Sequence, residues 1–156
     1  WYAAYDEAYS LHEEVNMESL KKETDIQGYD IDNDVLYAAR SNAEDAGVRE
    51  LIHFQQRDVS ELSHPKKYGF IITNPPYGER LEEKESLPAL YKTLGERYEA
   101  LSDWSMYLIT AWEEAEKNIG RRADKNRKIY NGMMKTYFYQ FLGPKPPKRV
   151  NGDGSD

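Results

Sequence analysis

The run Phe70-Ile71-Ile72-Thr73-Asn74-Pro75-Pro76-Tyr77-Gly78 constrains the chain more than any other stretch. A short apolar segment reads as a buried strand, and here it stops at a polar Asn followed by two prolines, an aromatic residue and a glycine. Each proline fixes φ near about −65° and pushes the residue before it into the extended region. Neither Asn74 nor Pro75 can therefore continue a helix, and the strand leads into a stiff loop. The carboxyl end of a buried strand is where open α/β sheets place their ligands. Asn74 offers a side-chain acceptor, Pro75 and Pro76 offer carbonyls with no N–H of their own, and Tyr77 offers a flat ring. Together they make a slot for a planar group bearing an NH₂. A rigid turn that only caps the strand would need the same residues, so the surrounding pattern has to decide.

That pattern alternates strand and helix. Trp1 to about Lys22 reads as a packing helix, with Tyr2, Tyr5, Tyr9, Leu11, His12 and Val15 as its apolar side and Glu13, Glu14 and Glu18 on the solvated side. Thr24 to Asp32 reads as a strand running into an amphipathic helix from Asn33 to Ala46. Val35, Leu36, Ala38, Ala39 and Ala43 form its apolar side, Asp32 or Asn33 caps it, and Gly47 ends it. A strand begins at Leu51 to Phe54, and the strand of the proline loop follows. Gly78 to Ser86 is polar and is expected to be a mobile loop; Leu87 to Leu101 is expected to be helical. Trp104 to Thr110 reads as a strand and Ala111 to Ile119 as a helix closed by Gly120. Arg121, Arg122, Lys125, Arg127 and Lys128 form a basic cluster, Asn131-Gly132 signals a hairpin, and Met134 to Leu142 returns as a strand. Short connections between these segments predict βαβ units and a mostly parallel sheet ending in an antiparallel hairpin. Residues 1–143 are read as one catalytic-type domain and residues 144–156 as a polar terminal tail.

Composition excludes several classes of function. The chain has 156 residues, 39% hydrophobic and 31% charged, which is globular rather than disordered. No apolar run reaches the length of a membrane span and no signal-peptide pattern opens it. Cysteine is absent, so disulfides and thiolate metal sites are excluded and a cytoplasmic location is permitted. The histidines, His12, His53 and His64, are scattered and read as packing or surface residues, so no metal is expected. A net charge of −7 weighs against the chain gripping a phosphate backbone unaided.

Asn74-Pro75-Pro76-Tyr77 resembles the (Asn/Asp)-Pro-Pro-(Tyr/Phe/Trp) motif of S-adenosylmethionine-dependent methyltransferases that act on exocyclic or amide nitrogens. The surrounding sequence is similar to one group of them. Gly28-Tyr29-Asp30-Ile31-Asp32, Ala39-Arg40-Ser41-Asn42-Ala43 with Ala46-Gly47-Val48, Thr73 to Arg80, and Asn126 to Gly132 resemble the bacterial THUMP-domain enzymes that methylate guanine N2 in large-subunit ribosomal RNA. Members of that family often carry the label N6-adenine-specific DNA methylase, and the likeness runs up to Lys148.

The resemblance implies a Rossmann-like class I methyltransferase fold and S-adenosylmethionine as cofactor. It puts Asp30, with Ile31, at the ribose hydroxyls and Asp58, with the Val59 backbone, at the adenine; a helix cap for Asp30 and a surface loop for Asp58 are the plainer alternatives. It assigns Asn74 and the Pro75 carbonyl to the two hydrogens of the target amino group, Pro76 to the stiffness of the loop, and Tyr77 to stacking on the base. Asn74 also borders the cofactor. The family's first strand and glycine-rich cofactor loop do not occur in the sequence, and are expected upstream of Trp1 together with the RNA-gripping THUMP domain. By that reading the chain alone is incomplete and inactive, a point that intact-mass analysis tests. RNA is the implied partner; the basic cluster, with Lys145, Lys148 and Arg149, reads either as a solvated charged face or as a contact to its phosphates, which salt dependence tests. A glutamine-N5 protein methyltransferase, an N6-adenine DNA methyltransferase and a non-catalytic RNA-binding remnant are the competing readings.

Overall fold

The computed structural model of the chain describes residues 1–13, 16–78 and 81–147. Glu14, Val15, Glu79, Arg80, Lys148 and Arg149 lie outside those residues, as do the side chains of His12 and Glu13. Among the described residues, no helix is long and apolar enough to cross a membrane. The chain divides into two compact units, Trp1–Asp58 and Val59–Asp156.

The first unit opens with two helices rather than one, α1 (Tyr2–Glu13) and α2 (Met17–Glu23). Asn16 separates them: its side chain accepts the Ser19 N–H at 3.1 Å and caps α2. The expectation of a packing helix fails for α1, because Trp1, Tyr2, Tyr5, Tyr9 and Leu11 are all exposed. Strand β1 (Ile26–Asp30) leads into α3 (Asn33–Asp45), and β2 (Ile52–Gln56) pairs parallel with β1 from Ile26↔Ile52 to Asp30↔Gln56. Asp32 caps α3 by accepting the Asp34 N–H at 2.8 Å, and Gly47 takes φ +69° just beyond its end. Of the apolar side read for α3, Leu36 and Ala43 are buried and Ala39 half-buried, whereas Val35 and Ala38 are exposed. A sheet of two strands is narrow, so it covers only the i, i+3, i+7 line of the helix. Gly28 is required at the centre of β1, since a Cβ there would lie 2.7 Å from the Phe54 ring.

The second unit holds a four-stranded sheet in the order β3-β4-β6-β5, formed by β3 (Phe70–Thr73), β4 (Ser105–Thr110), β5 (Lys125–Asn131) and β6 (Met134–Phe141). β3 and β4 are parallel and are joined by α4 (Leu81–Ala100); β6 runs antiparallel to both β4 and β5. The core forms on one face. Leu87, Tyr91, Leu94 and Tyr98 of α4 recur at helical spacing and pack with Met106 and Leu108 of β4 and Tyr137, Tyr139 and Phe141 of β6. Ala115 and Ile119 of α5 (Ala115–Ile119) complete it.

Four features differ from expectation, each for a physical reason. α4 begins at Leu81, so most of the stretch read as a loop is helical. Residues 82–85 have good helix propensity, and a charged sequence suits a helix as readily as a loop. Helix α5 is shorter than expected, because residues 111–114 form a turn in which Thr110 Oγ1 accepts the Trp112 N–H at 3.0 Å. The hairpin turn is Gly132-Met133, with Asn131 and Met134 already paired, and Gly132 at φ +62° fits a type II′ turn. β3 is an edge strand: Phe70 and Ile72 are exposed, while Ile71 and Thr73 face the side that α4 covers.

Candidate functional site

The loop that follows β3 is held from the side of α4. Asn74 is exposed, Pro75 half-buried, Pro76 exposed, Tyr77 half-buried and Gly78 buried. Gly78 takes φ +80°, and a Cβ there would stand 2.9 Å from Lys84 Cγ and 3.0 Å from Leu87 Cδ1. Only glycine suits both the backbone and the close approach to α4. Tyr91, wholly buried, donates its hydroxyl hydrogen to the Pro76 carbonyl at 3.1 Å. Its oxygen lies 2.6 Å from Thr110 Oγ1, and its ring meets Trp112 edge-on at 4.6 Å between centroids. Burial pushes the Tyr91 phenol up to about 12, partly offset by the Thr110 hydrogen bond. It is therefore a neutral donor at any working pH.

This arrangement sorts the acceptors of the loop. The Pro76 carbonyl is engaged by Tyr91, and the Asn74 side chain is on the surface beyond the end of the strand. The sequence places Tyr91 inside the helix expected from Leu87 to Leu101 and gives it no role at the loop. The signal that could have found it is chemical: a tyrosine on an apolar helix face needs a partner for its hydroxyl.

In the first unit, the carboxyl ends of two neighbouring parallel strands gather Asp30, Ile31 and Asp58. The Asp30 carboxylate accepts the Asp32 N–H at 2.8 Å, and its carbonyl accepts the Arg57 N–H at 2.9 Å. Gln56 Nε2 donates to the Ile31 carbonyl at 2.9 Å, which fixes the turn while leaving the Ile31 side chain 65% exposed. The Arg57 guanidinium lies 5.0 Å from the Tyr29 ring centroid. Asp58 is exposed two residues beyond β2. Val59 opens a short 3-10 turn in the second unit and packs against that unit's core.

The basic cluster is divided in its roles. Arg121 donates to the Tyr98 hydroxyl at 3.2 Å and to the Leu142 carbonyl at 3.3 Å, and pairs with Asp124 at 3.2 Å. It ties the base of the hairpin together. Lys125, Arg127 and Lys128 lie exposed along the edge strand β5. The alternation of a strand puts the first two on the Phe138 face and Lys128 on the Tyr137 face. His53 is exposed on β2, and His64 Nδ1 accepts the Lys66 N–H at 3.1 Å.

Comparison with known proteins gives consistent matches. Residues 2–140 match the family model described as RMKL-like, methyltransferase domain. YpsC of Bacillus subtilis (strain 168), provisionally named an RNA methyltransferase, is 42% identical over 77% of the chain and 31% of its own length. Ribosomal RNA large subunit methyltransferase K/L of Shewanella baltica (strain OS185) is 37% identical over 74% of the chain and 16% of its own length. The crystal structure of SMU.472, provisionally named a methyltransferase and complexed with SAH, superimposes with a TM-score of 0.74 at 37% identity, covering 79% of this chain and 33% of that one. The chain thus spans less than a third of the length of the curated relatives it matches. The fold is that of the class I methyltransferases, α/β with both parallel and antiparallel strand pairs.

Proposed function

Since the chain belongs to the RMKL-like methyltransferase domain family, we propose that it serves S-adenosylmethionine-dependent methylation of an exocyclic amino group in RNA. The finer reading is guanine N2 of large-subunit ribosomal RNA. The observation that carries the proposal is the Asn74–Tyr77 loop: a surface-exposed Asn at the end of a parallel strand, followed by a proline pair pinned from beneath. The names of the relatives support RNA as substrate, and the SAH complex of SMU.472 supports the cofactor.

The residues present suit the nucleoside half of that cofactor. The Asp30 carboxylate stands at a strand end with one oxygen holding the Asp32 N–H, and a carboxylate has acceptor sites to spare for two vicinal hydroxyls. Asp58, exposed at the neighbouring strand end, supplies an acceptor for an adenine amino group. When bound, the cofactor supplies a sulfonium methyl group that a nitrogen lone pair can attack.

An amino group conjugated to a base is a poor nucleophile, because its lone pair is delocalised into the ring. The Asn74 side-chain oxygen and the Pro75 carbonyl accept its two hydrogens and favour a pyramidal nitrogen with its lone pair directed outward. That is orientation with electrostatic preorganisation, and each contributes several kcal/mol, on the order of a hundredfold or more in rate. Tyr77 stacks on the base once it has left its helix or loop. The test is methyl transfer from labelled cofactor to ribosomal RNA, a release factor and DNA, using the full-length gene product. Label confined to N2-methylguanine in RNA is expected; label on glutamine or on DNA adenine would replace the proposal.

A further inference from the structure

We infer that Tyr91 is the positioning residue of the Asn74–Tyr77 loop, acting through a directed hydrogen-bond chain that begins at Trp112 and ends on the Pro76 carbonyl. The inference rests on the methyl-transfer reading above and names a residue on α4 that the loop sequence itself does not contain.

The direction of the chain follows from counting hydrogens. A phenol has one hydrogen, and a carbonyl can only accept, so the Tyr91 hydrogen is committed to Pro76 at 3.1 Å. In the 2.6 Å contact with Thr110 Oγ1 the Tyr91 oxygen must then be the acceptor and the threonine hydroxyl the donor. Thr110 Oγ1 in turn accepts the Trp112 N–H at 3.0 Å. Each bond polarises the next in the same sense, and Tyr91 and Thr110 are both wholly buried, where such chains are strengthened. Every member is fixed by something else. Tyr91 sits in the α4 core, Thr110 ends β4, and Trp112 packs edge-on against the Tyr91 ring.

The consequence falls on the peptide plane between Pro76 and Tyr77. With its carbonyl held inward, that plane is restrained against rotation, and it sets the direction in which the Tyr77 backbone leaves the proline pair. The proline rings fix φ at positions 75 and 76, and Gly78 seats the far end of the loop against Leu87 and Lys84. The ψ angle of Pro76 is the rotation these rings leave free, and Tyr91 locks it. The hydrogen bond also withdraws Pro76 from competition, so the amino group meets the Pro75 carbonyl and not its neighbour. A displacement of about 1 Å at such a centre costs on the order of a hundredfold in rate.

Tyr91→Phe removes the hydroxyl and keeps the ring, so it tests the bond rather than the core. In the full-length protein, Y91F is expected to lower kcat for RNA methylation about ten- to a hundredfold, with KM for RNA and Kd for S-adenosylmethionine within about twofold. T110V is expected to lower kcat in the same way, T110S to retain more activity than T110V, and the Y91F/T110V pair to be little worse than Y91F alone. The carbonyl ¹³C resonance of Pro76 reads the contact without turnover and should move upfield in Y91F. A wild-type kcat in Y91F, a loss matched by weakened cofactor binding, or an unmoved Pro76 resonance would each overturn the inference. A wild-type protein that methylates no RNA, yet shows the Pro76 shift in Y91F, would overturn the proposed function instead and leave the pinned loop standing.

Discussion

Gly95 of α4 lies directly against Ile119, the last residue of α5: a Cβ built on Gly95 would clash with the Ile119 carbonyl oxygen and stand 2.9 Å from its Cα. The obstacle is backbone, which cannot swing aside as a side-chain end can. Gly95→Ala should therefore force α4 and α5 apart and disturb the core between Leu94, Tyr98 and Ile119. Overpacking of this kind costs about 1–3 kcal/mol, and a backbone clash belongs at the upper end. Urea denaturation checks it. A midpoint unchanged from wild type would show that the two helices are not held at this separation.

The same core predicts how the protein fails in alkali. Burial raises the phenols of Tyr91 and Tyr139 from the ordinary 10.0 to about 12. Between those values the unfolded chain has lost protons that the folded chain keeps, so stability is fully present below about 10 and is lost as pH rises towards 12. Denaturation midpoints should hold steady to about pH 9 and fall steeply from there, and tyrosinate absorbance should appear together with unfolding. Y91F should shallow that fall; an equal slope in Y91F would remove Tyr91 as a contributor.

At the other end of the scale, Glu113 is held below the usual carboxylate range, first by the Tyr137 hydroxyl at 2.8 Å and then by Lys135 at 3.3 Å. A depressed folded value means that its contribution is present above the unfolded 4.5 and disappears as pH falls through the folded value. Glu113 is exposed, so the effect on overall stability is small. NMR titration of its carboxyl carbon should report the lowered value, and Tyr137→Phe should move it back towards 4.5.

What the sequence made legible were the places where local chemistry leaves one choice. Of the two cap candidates, Asp32 and Asn33, it is Asp32 that caps the helix; Gly47 and Gly120 end helices as expected and take φ of +69° and +79°. The proline pair had to end β3, and the strand stops at Thr73. Less legible were features decided by a neighbour far along the chain. Ile72 is as apolar as a core residue, yet its exposure depends on which side of the sheet α4 covers. Tyr91 reads as one more aromatic in a helix stripe until Thr110, nineteen positions on, is brought beside it. Of the residues the resemblance assigns to the cofactor, Asp30, Ile31 and Asp58 follow the ends of β1 and β2 in the first unit, whereas Val59 and Asn74 belong to the second.

The Asp30 assignment has a clean test because that carboxylate does two things. One oxygen holds the Asp32 N–H, which starts α3. Asp30→Asn keeps a carbonyl oxygen for that turn and removes the charge. If the carboxylate takes the ribose hydroxyls, calorimetry on the full-length protein should show S-adenosylmethionine binding weakened about 10- to 100-fold, with the denaturation midpoint near wild type. Unchanged affinity would return Asp30 to the role of a turn former.

Edge strand β5 carries the last expectation. Lys125, Arg127 and Lys128 are exposed there, in a chain whose net charge is −7, so under the RNA reading they are the cations set against a phosphate backbone. Arg121 is unsuited to that role, being engaged with Tyr98, Asp124 and Leu142. Neutralising the three β5 cations to Gln should weaken RNA binding by the full-length protein and flatten its dependence on salt, by about 0.7 in the logarithmic slope for each contact with single-stranded RNA. Alternation along the strand adds a finer test. Lys125 and Arg127 share the Phe138 face while Lys128 lies on the Tyr137 face, so a backbone lying on one face should feel K125Q and R127Q together and K128Q hardly at all. Equal effects from all three would place the phosphates along the strand edge, and a slope identical to wild type in the triple variant would remove β5 from the interface.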